Sequence, residues 1–561
     1  MIQNKKMLPI GVEDFEKLIK ENYYYVDKTG LIIDLLKNRG EANLFTRPRR
    51  FGKSLNMKML EAFFSPATDK SVFDGLKVSE EKELCDKYMG KFPVIALSFS
   101  EINAADYDDA YNSTVLLIRD AAYKIYNEVL HSEKITSKDR DDLLDLSKKD
   151  IPESLLCRSL LIMSGILERH YGRKTVILID EYDVPLAKAY EHGYYERMVI
   201  MIRKLFQCAL KGNSSLFFAV LSGCLRISKE SIFTGLNNLK VHSVFSARFD
   251  EYFGFTDNEV RDILKYYGLS EKYDVVKEWY DGYKIGRKNV YCPWDVVNYC
   301  DDLIADPDLS PKNYWLNTSS NSAVRRFIER TTNTTVKREI ERLINGESVE
   351  KTIREDLTYQ DMYSSTDNIW SLLYMTGYLT QQGKSDGNLL RLVIPNSEIR
   401  SIFALQIMEF FKESVRKDGV SLGKFCDALQ KGDAAGAENS FNIYLRRTIS
   451  LRDTFVRKST RENFYHGILI GILGLKEDWD VSSNAELGDG YADIFVSIGD
   501  YETAILIEVK YAEDGDLEGA CRRAVEQIKQ KRYADELDEY SHVLKYAIAC
   551  CRKKCMVMLC V

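Results

Sequence analysis

Arg47-Pro-Arg-Arg-Phe-Gly-Lys-Ser54 follows a short apolar stretch, Asn43–Thr46, and precedes the run Leu55–Phe64, whose apolar residues recur at helical spacing. A strand, a loop ending in Gly-Lys-Ser and a helix match the pattern GxxxxGK[ST], in which backbone N–H groups and a helix N-terminus bind phosphate. Gly52, Lys53 and Ser54 occupy the last three positions of the pattern, whereas Arg47 stands in place of its first glycine. The sequence therefore predicts a phosphate-binding loop with one departure.

The composition is that of an ordinary globular protein large enough for two or more domains. The chain has 561 residues, 45% of them hydrophobic and 29% charged, with a net charge of −7. This balance excludes a general basic field for nucleic acid but leaves a local basic cleft open. We expect no membrane span, because no uninterrupted apolar run is long enough.

The cysteines and the amino-terminal residues indicate a compartment. Twelve cysteines are scattered without a CxxC pair, which favours reduced thiols, and the first residues lack the apolar stretch of a signal peptide. For the cluster from Cys550 to Cys560, in strand-like sequence, packing is favoured over metal ligation. We therefore expect a cytoplasmic protein.

The first ~250 residues alternate between strand and helix patterns, which predicts a parallel sheet covered by helices. The strand candidates are Asn43–Thr46, Val94–Phe99, Thr175–Asp180, Leu216–Ser222 and Val241–Phe245. The helix candidates between them include Tyr107–Leu130, Leu155–Tyr171 and Tyr195–Lys211. This region, residues 1–253, is the predicted nucleotide-binding domain.

Three further domains are expected. Residues 254–340 read as a helical lid, with Thr256 or Asp257 as the first helix cap and an aromatic turn at Trp279–Tyr283. Residues 341–440 read as a mainly helical connecting region with one strand near 388–394. Residues 441–561 predict an αβββαβ unit, whose elements are Glu462–Leu475, Val481–Asn484, Tyr491–Ile498, Glu502–Tyr511, Leu517–Tyr533 and His542–Cys551.

Two acids follow the apolar strand Thr175–Asp180 at its carboxyl end, where ligands bind in open α/β sheets. In a phosphate-loop ATPase such a strand supplies an Asp for Mg²⁺ and a Glu that orients water, roles that fit Asp180 and Glu181. Lys53 would neutralise phosphate charge, and the Ser54 hydroxyl would ligate Mg²⁺. The alternative is a solvated helix start after a core strand.

Arginines near the loop have two interpretations. Arg47, Arg49 and Arg50 either contact phosphate or face solvent and pair with acids elsewhere. Arg226 follows the strand Leu216–Ser222 and either senses the terminal phosphate or joins an interdomain salt bridge. The sequence leaves both alternatives open.

Five stretches together resemble the prokaryotic AAA-ATPase-like family. They are Tyr23–Thr29, Arg47–Leu55, Ile179–Asp183, Leu225–Ser231 and Tyr280–Tyr283. In that family a P-loop domain heads a chain that ends in a PD-(D/E)XK nuclease-like domain, and the resemblance covers nearly the whole chain. It implies ATP as ligand and points to Asp493, Glu508 and Lys510 as nuclease residues.

The residues of the carboxyl-terminal region agree with this implication. Glu508 and Lys510 lie two apart in a strand and share one face. A two-residue turn at Gly499-Asp500 would place Asp493 opposite Leu506, a diagonal neighbour of Glu508 about 7–8 Å away. Two carboxylates at that separation can share one Mg²⁺. A surface salt bridge on an exposed sheet face is the alternative.

Supporting residues are also expected near this site. Glu486 is a further acid candidate, and Gln527 matches the position of a supporting polar residue in related nucleases. Basic residues make the helix around Gln527 suitable for a DNA backbone, although an ordinary solvated face explains them as well. The sequence assigns no role to the lone helical His466.

These observations lead to two hypotheses for the whole chain. The first is an enzyme that binds, and hydrolyses, ATP and cleaves nucleic acid, with DNA the favoured substrate, using Mg²⁺; a homo-oligomer is compatible with it. The second is a nucleotide-dependent switch whose carboxyl-terminal domain binds DNA or protein without cleaving. The arginine at position 47 favours slow turnover and thus lends the second some weight.

Overall fold

The computed structural model describes residues 5–226, 232–233, 236–315, 334–362, 365–383, 387–403, 406, 419–448, 461–474, 476, 478–487, 490–499, 502–531, 537 and 539–560. The chain divides into two compact units, Met1–Ser320 with Glu350–Ile399, and Asn321–Val349 with Arg400–Val561. The finer division into four domains stays a prediction. No helix within the described ranges is both long and apolar enough to cross a membrane.

The first unit is built on a five-stranded parallel sheet. Its strands are β1 (Ala42–Thr46), β2 (Val94–Ser98), β3 (Thr175–Asp180), β4 (Leu216–Gly223) and β5 (Leu239–His242), in the spatial order β2-β3-β4-β1-β5. Every residue of β1 and β3 is buried. Because successive strand residues face opposite sides, the sheet is covered on both faces. The predicted parallel sheet is confirmed, with β5 two residues earlier than expected at its start.

Helices of the first unit connect these strands and continue beyond them. They span Phe15–Lys20, Gly30–Asn38, Lys53–Phe64, Lys82–Tyr88, Tyr107–Val129, Ser137–Leu146, Glu153–Tyr171, Val184–His192, Tyr195–Leu210, Asp257–Tyr267, Tyr273–Tyr280, Pro293–Ala305, Tyr359–Met362 and Thr366–Met375. The predicted cap at Thr256 is confirmed, because Thr256 and Glu259 form a reciprocal capping box. The aromatic turn at Trp279–Tyr283 leads into a hairpin that the sequence did not predict.

Five short strands complete the first unit and the segment that enters it. They are β6 (Tyr283–Ile285), β7 (Lys288–Val290), β8 (Val349–Thr352), β9 (Thr380–Gln381) and β10 (Leu389–Val393). β6 and β7 form the antiparallel hairpin, and the other three form a sheet in the order β8-β10-β9. The predicted strand near residues 388–394 is therefore confirmed.

The Tyr23–Thr29 stretch is a structural tie within the first unit. The buried amine of Lys28 contacts both carboxylate oxygens of Glu259 at 2.7 Å. Asp27 accepts hydrogen bonds from the Thr29 hydroxyl and from the backbone N–H of Lys77. The Lys28 bonds join the amino-terminal segment to the helix Asp257–Tyr267, and the Asp27 bond joins it to Lys77, so this stretch stabilises the fold.

The second unit contains a mixed five-stranded sheet. Its strands are β11 (Trp479–Leu487), β12 (Gly490–Ile498), β13 (Thr503–Tyr511), β14 (His542–Cys551) and β15 (Lys554–Cys560), in sequential order, with only β13 and β14 parallel. Its helices are Thr334–Ile344, Gly419–Gln430, Ala434–Thr448, Arg461–Leu473 and Leu517–Gln530. The predicted αβββαβ order is confirmed and is followed by one more strand, β15. Its antiparallel hairpin with β14 pairs Cys550 with Cys555.

Candidate functional site

The phosphate-loop candidate follows β1 and ends at the helix Lys53–Phe64. Gly52 caps this helix in the left-handed conformation, with φ of 77°, and a Cβ added there would meet nothing within 4 Å. Backbone N–H groups in the first turn of a helix lack intrahelical acceptors and attract anions. The loop therefore presents a helix N-terminus beside open space, with half-buried Ser54 in the first turn.

The side chain of Lys53 points back into the loop that precedes its helix. Its ammonium nitrogen donates to the carbonyl of Pro48 at 2.9 Å and to that of Arg47 at 3.3 Å, and its side chain is buried. The Cys224 sulfur is 3.7 Å from the same nitrogen. The predicted phosphate-neutralising cation thus closes the loop on itself in this structure.

Arg47 lies where neither sequence alternative placed it. Its guanidinium is fully buried and donates to three backbone carbonyls, those of Thr46, His242 and Phe249. It also lies over the Phe253 ring, 4.9 Å from the centroid, and burial lowers its pKa to about 9. The structure therefore does not direct Arg47 toward a phosphate: this side chain ties β1 to the end of β5.

The other two arginines differ in exposure. Arg50 donates to the carbonyl of Tyr314 at 2.9 Å and lies over Trp294, so its guanidinium is also occupied by protein groups. Arg49, in contrast, is exposed at the loop surface. Of the three arginines, Arg49 is the one whose side chain reaches solvent most freely.

Acids from the end of β3 lie next to Lys53. Asp180 is buried and accepts from the Ser222 hydroxyl and from the backbone N–H of Glu181. Glu181 has a left-handed backbone, with φ of 51°. Burial raises the pKa of Glu181, the charge of Lys53 opposes that rise, and the charge of Asp180 adds to it. Lys53, Asp180 and Glu181 are therefore brought together, as the sequence predicted.

Asp183 is a residue of this site to which the sequence reasoning gave no role. It is buried and accepts hydrogen bonds from the backbone N–H groups of Cys224 and Leu225, each at 3.0 Å. A Cβ on Gly223 would lie 2.6 Å from an Asp183 oxygen, so only glycine fits there. Asp183 thus fixes the segment that carries Arg226, and its place in the Ile179–Asp183 motif was the available signal.

The second candidate site lies on β12 and β13. Lys510 donates to Glu508 at 2.9 Å and contacts Glu462 at 3.2 Å. The Asp493 carboxylate accepts from the backbone N–H of Val509 at 2.8 Å. The predicted residues Asp493, Glu508 and Lys510 are therefore brought together at the point where the β12–β13 ladder ends.

The predicted register of this hairpin was wrong by two residues. Leu506 pairs with Phe495 and Ile507 with Ile494, so continuation of the ladder brings Asp493 level with Glu508 instead of diagonal to it. The cause is the turn: Ile498 and Thr503 form the last pair, so four residues close the hairpin instead of two. A two-residue shift preserves the face, because side chains alternate with period two. Asp500 lies outside the described residues.

The negative charge of Glu508 is held in an unfavourable environment at this site. Its side chain is fully buried, and its second oxygen, Oε2, has no hydrogen-bond partner among the described residues. Burial raises the pKa of Glu508 to about 7, with the charge of Asp493 adding to the effect and Lys510 opposing it. A buried oxygen without a donor is costly, and a cation beside it would satisfy it.

Two groups on the helix Arg461–Leu473 were not assigned from the sequence. Glu462 accepts from Lys510 and from the backbone N–H of Tyr511. His466 Nε2 lies 2.7 Å from the carbonyl oxygen of Asp493, so this nitrogen carries the donated proton. Glu462 and His466 lie four residues apart and therefore share one helical face, a spacing that the sequence contains.

Two family models match the chain, and the matched ranges contain the two candidate sites. Residues 9–233 match the family model described as a predicted AAA-ATPase, and residues 460–559 match the PD-(D/E)XK nuclease superfamily. The chain carries an AAA-ATPase-like domain and a PD-(D/E)XK nuclease-superfamily domain. It is also 27% identical over 554 residues to an uncharacterized protein in the vnfD 5' region of Azotobacter chroococcum mcd 1, covering 95% of this chain and 94% of that protein.

The two predicted supporting residues, Glu486 and Gln527, lie on different elements of the nuclease-superfamily domain. Glu486 pairs with Tyr491 through the backbone, and its side chain lies outside the described residues. Gln527 is half-buried on the helix Leu517–Gln530, next to Ile528, which packs near Leu506. Their catalytic support stays a prediction. In the described ranges, no group of three or more His, Cys, Asp or Glu side chains is arranged to hold a metal ion.

Proposed function

We propose that this chain is an ATP-dependent, Mg²⁺-requiring nuclease that hydrolyses ATP in its AAA-ATPase-like domain and cleaves DNA phosphodiesters in its nuclease-superfamily domain. The observation that carries the proposal is the Asp493–Glu508–Lys510 group, with a fully buried Glu508 oxygen that has no described partner. A carboxylate kept buried beside a second carboxylate is unfavourable for folding alone. Chemistry is the explanation that accounts for both acids.

In the AAA-ATPase-like domain, the loop amides near Gly52 would hold the phosphates of ATP, and Lys53 would neutralise their charge. Ser54 and Asp180 would ligate Mg²⁺, and Glu181 would orient the attacking water. Because Arg47 and Arg50 donate to backbone carbonyls, Arg49 is the arginine best placed to add a phosphate contact. Arg226 follows β4, which pairs with β1 and carries Gly223 opposite Thr46.

In the nuclease-superfamily domain, Asp493 and Glu508 would hold Mg²⁺. The bound ion supplies positive charge that polarises the phosphodiester and lowers the pKa of water. Lys510 places an ammonium group within 2.9 Å of Glu508, where it also stabilises negative charge on the phosphate. Exposed Arg522 and Arg523 on the helix Leu517–Gln530 suit contact with a DNA backbone.

A second candidate is a nucleotide switch that binds DNA or protein without cutting. Lys53 donates to two loop carbonyls, and Arg47 donates to three other carbonyls, so both cations stabilise the loop through protein contacts. Tight ATP binding without turnover, and DNA binding without nicking, would favour this candidate over the enzyme.

One panel tests the proposal. Full-length protein is incubated with plasmid or single-stranded DNA, with and without Mg²⁺ and ATP, beside Lys53→Ala and Glu508→Ala. We expect Glu508→Ala to abolish Mg²⁺-dependent nicking. We expect Lys53→Ala to lose the nicking that depends on ATP. Lys58→Ala, an exposed lysine on the same helix, and Glu502→Ala, an exposed acid before β13, are matched controls that should behave as wild type.

The outcomes separate the two halves of the proposal. Nicking by Glu508→Ala at the wild-type rate refutes the nuclease assignment, whereas equal ATP turnover in wild type and Lys53→Ala refutes the ATPase assignment. ATP binding and ATP turnover are measured separately, because their combination distinguishes the enzyme from the switch.

A further inference from the structure

A late segment of the first unit packs on the carboxyl edge of the parallel sheet. Tyr359 is buried against Tyr190 and Tyr195, and its hydroxyl lies 3.5 Å from the carbonyl oxygen of Asp183. A Cβ on Gly377 would lie 3.1 Å from Pro48. Residues 355–362 and 365–378 therefore include contacts to the loop after β1 and to the loop after β3, the two loops that carry Lys53 and the acids.

The same segment also contacts the turn after β5. The Ser243 hydroxyl donates to the Glu355 carboxylate at 2.6 Å, and the Phe245 ring packs on Tyr374 at 5.2 Å. The loops after β1, β3 and β5 are thus each contacted by residues more than a hundred positions later in the chain. Glu355 is half-buried at this position.

Glu355 shares a small cavity with the ends of three neighbouring strands. Thr46 ends β1, Cys224 and Arg226 follow β4, and Ser243 follows β5. The cavity is lined by Thr46, Cys224, Arg226, Ser243, Glu355 and Met375, among others. One wall thus carries a cation predicted to sense phosphate, and the opposite segment carries a carboxylate.

A carboxylate at this edge is unfavourable for a polyphosphate. ATP brings several negative charges to the loop that follows Thr46, and like charges repel strongly where water is partly excluded. The same carboxylate stabilises the covering segment through Ser243. Repulsion between the Glu355 carboxylate and the phosphates therefore makes phosphate binding and the Glu355–Ser243 contact oppose each other.

We propose that Glu355 sets the affinity of the phosphate loop by occupying its edge with negative charge, so that ATP binding releases the Glu355–Ser243 contact and loosens residues 355–362. This inference rests on the proposed nucleotide site. The chain continues from this segment into the second unit at Arg400. Release of the segment is therefore a route by which ATP binding in the first unit affects the second unit.

Binding of ATP and of inorganic triphosphate to the full chain tests this proposal. Glu355→Gln keeps an acceptor for Ser243 but removes the charge, so both dissociation constants should fall by about tenfold. Glu350→Gln is the matched control: it removes an exposed carboxylate, paired with Arg391, five residues earlier in the same segment. This control should bind both ligands as wild type does.

Hydrogen exchange supplies the second readout. ATP should accelerate amide exchange of residues 353–362 in wild type, and much less in Lys53→Ala. Unchanged affinity in Glu355→Gln, an equal gain in Glu350→Gln, or a gain for ATP without one for triphosphate would each overturn the proposal. If wild type binds neither ligand, the nucleotide site itself fails, which is a distinct result.

Discussion

Replacing the buried Glu508 with glutamine should stabilise the nuclease-superfamily domain while abolishing cleavage. The folded protein binds the Glu508 proton more tightly than the unfolded chain, because burial and Asp493 raise its pKa from 4.5 to about 7. A raised carboxyl pKa means that wild type loses stability as pH rises from 4.5 to about 7 and loses no more above that range. Glutamine has no such proton to lose.

The size of the effect follows from this pKa difference. Each tenfold change in proton affinity corresponds to about 1.4 kcal/mol, so the ionised, buried carboxylate costs about 3 kcal/mol at pH 8. Glu508→Gln retains a carbonyl oxygen for Lys510 and removes the repulsion from Asp493. Its gain over wild type should therefore be near zero at pH 4.5 and about 3 kcal/mol at pH 8.

Native-state hydrogen exchange of β12 and β13 peptides reads this free energy within one domain of a multidomain chain. The same preparations are assayed for Mg²⁺-dependent nicking, and Glu502→Gln serves as the exposed control. A variant no more stable than wild type at pH 8, or a gain equal at both pH values, would refute the electrostatic reasoning. Nicking at the wild-type rate would refute the catalytic role.

Other perturbations address the remaining features. Arg47→Met should destabilise the first unit by about 2–4 kcal/mol in urea unfolding, because three buried carbonyls lose a charged donor, and Arg47→Lys should rescue only part of it because an ammonium lacks the guanidinium fork. Burial raises the pKa values of Asp295 and Glu398, and the charge of Asp295 raises that of Glu398 further, so wild-type stability should fall between about pH 4 and 10; Glu398→Gln should flatten that fall, and an unchanged slope of melting temperature against pH would contradict it. Because Mg²⁺ must displace the Glu508 proton, half-maximal nicking should need about tenfold more Mg²⁺ at pH 6 than at pH 8, and equal requirements would be inconsistent with this carboxylate as a ligand.

Periodicity was sufficient for the regular parts of the fold. The five parallel strands and the αβββαβ order were predicted because buried strands are continuous apolar runs and their connecting helices are amphipathic. The end of β5 was predicted three residues late, because Ser243–Ser246 forms a turn that retains apolar residues. The β6–β7 hairpin and β15 are short strands, and their pairing partners decide their formation more than their own composition.

The sequence predicted which residues come together at each site more successfully than it predicted the contacts that their side chains make. Motif spacing brought Lys53, Asp180 and Glu181 together, and period two placed Glu508 and Lys510 on one face. The direction of a long side chain is set by tertiary acceptors: Arg47 finds carbonyls of His242 and Phe249 about 200 residues away, which no local pattern contains. The hairpin register likewise depends on turn length, which Gly499-Asp500 alone misindicated.

The tie formed by Arg47 has a consequence for protein engineering. The left-handed turns of the loop occur at Arg50 and Gly52, so no glycine is required at position 47 for conformational reasons. An Arg47→Gly change would complete the usual phosphate-loop pattern and would raise the score of the chain in any motif search. It would also remove the group that joins the loop to β5, so consensus repair of this motif should weaken the site that it was meant to restore.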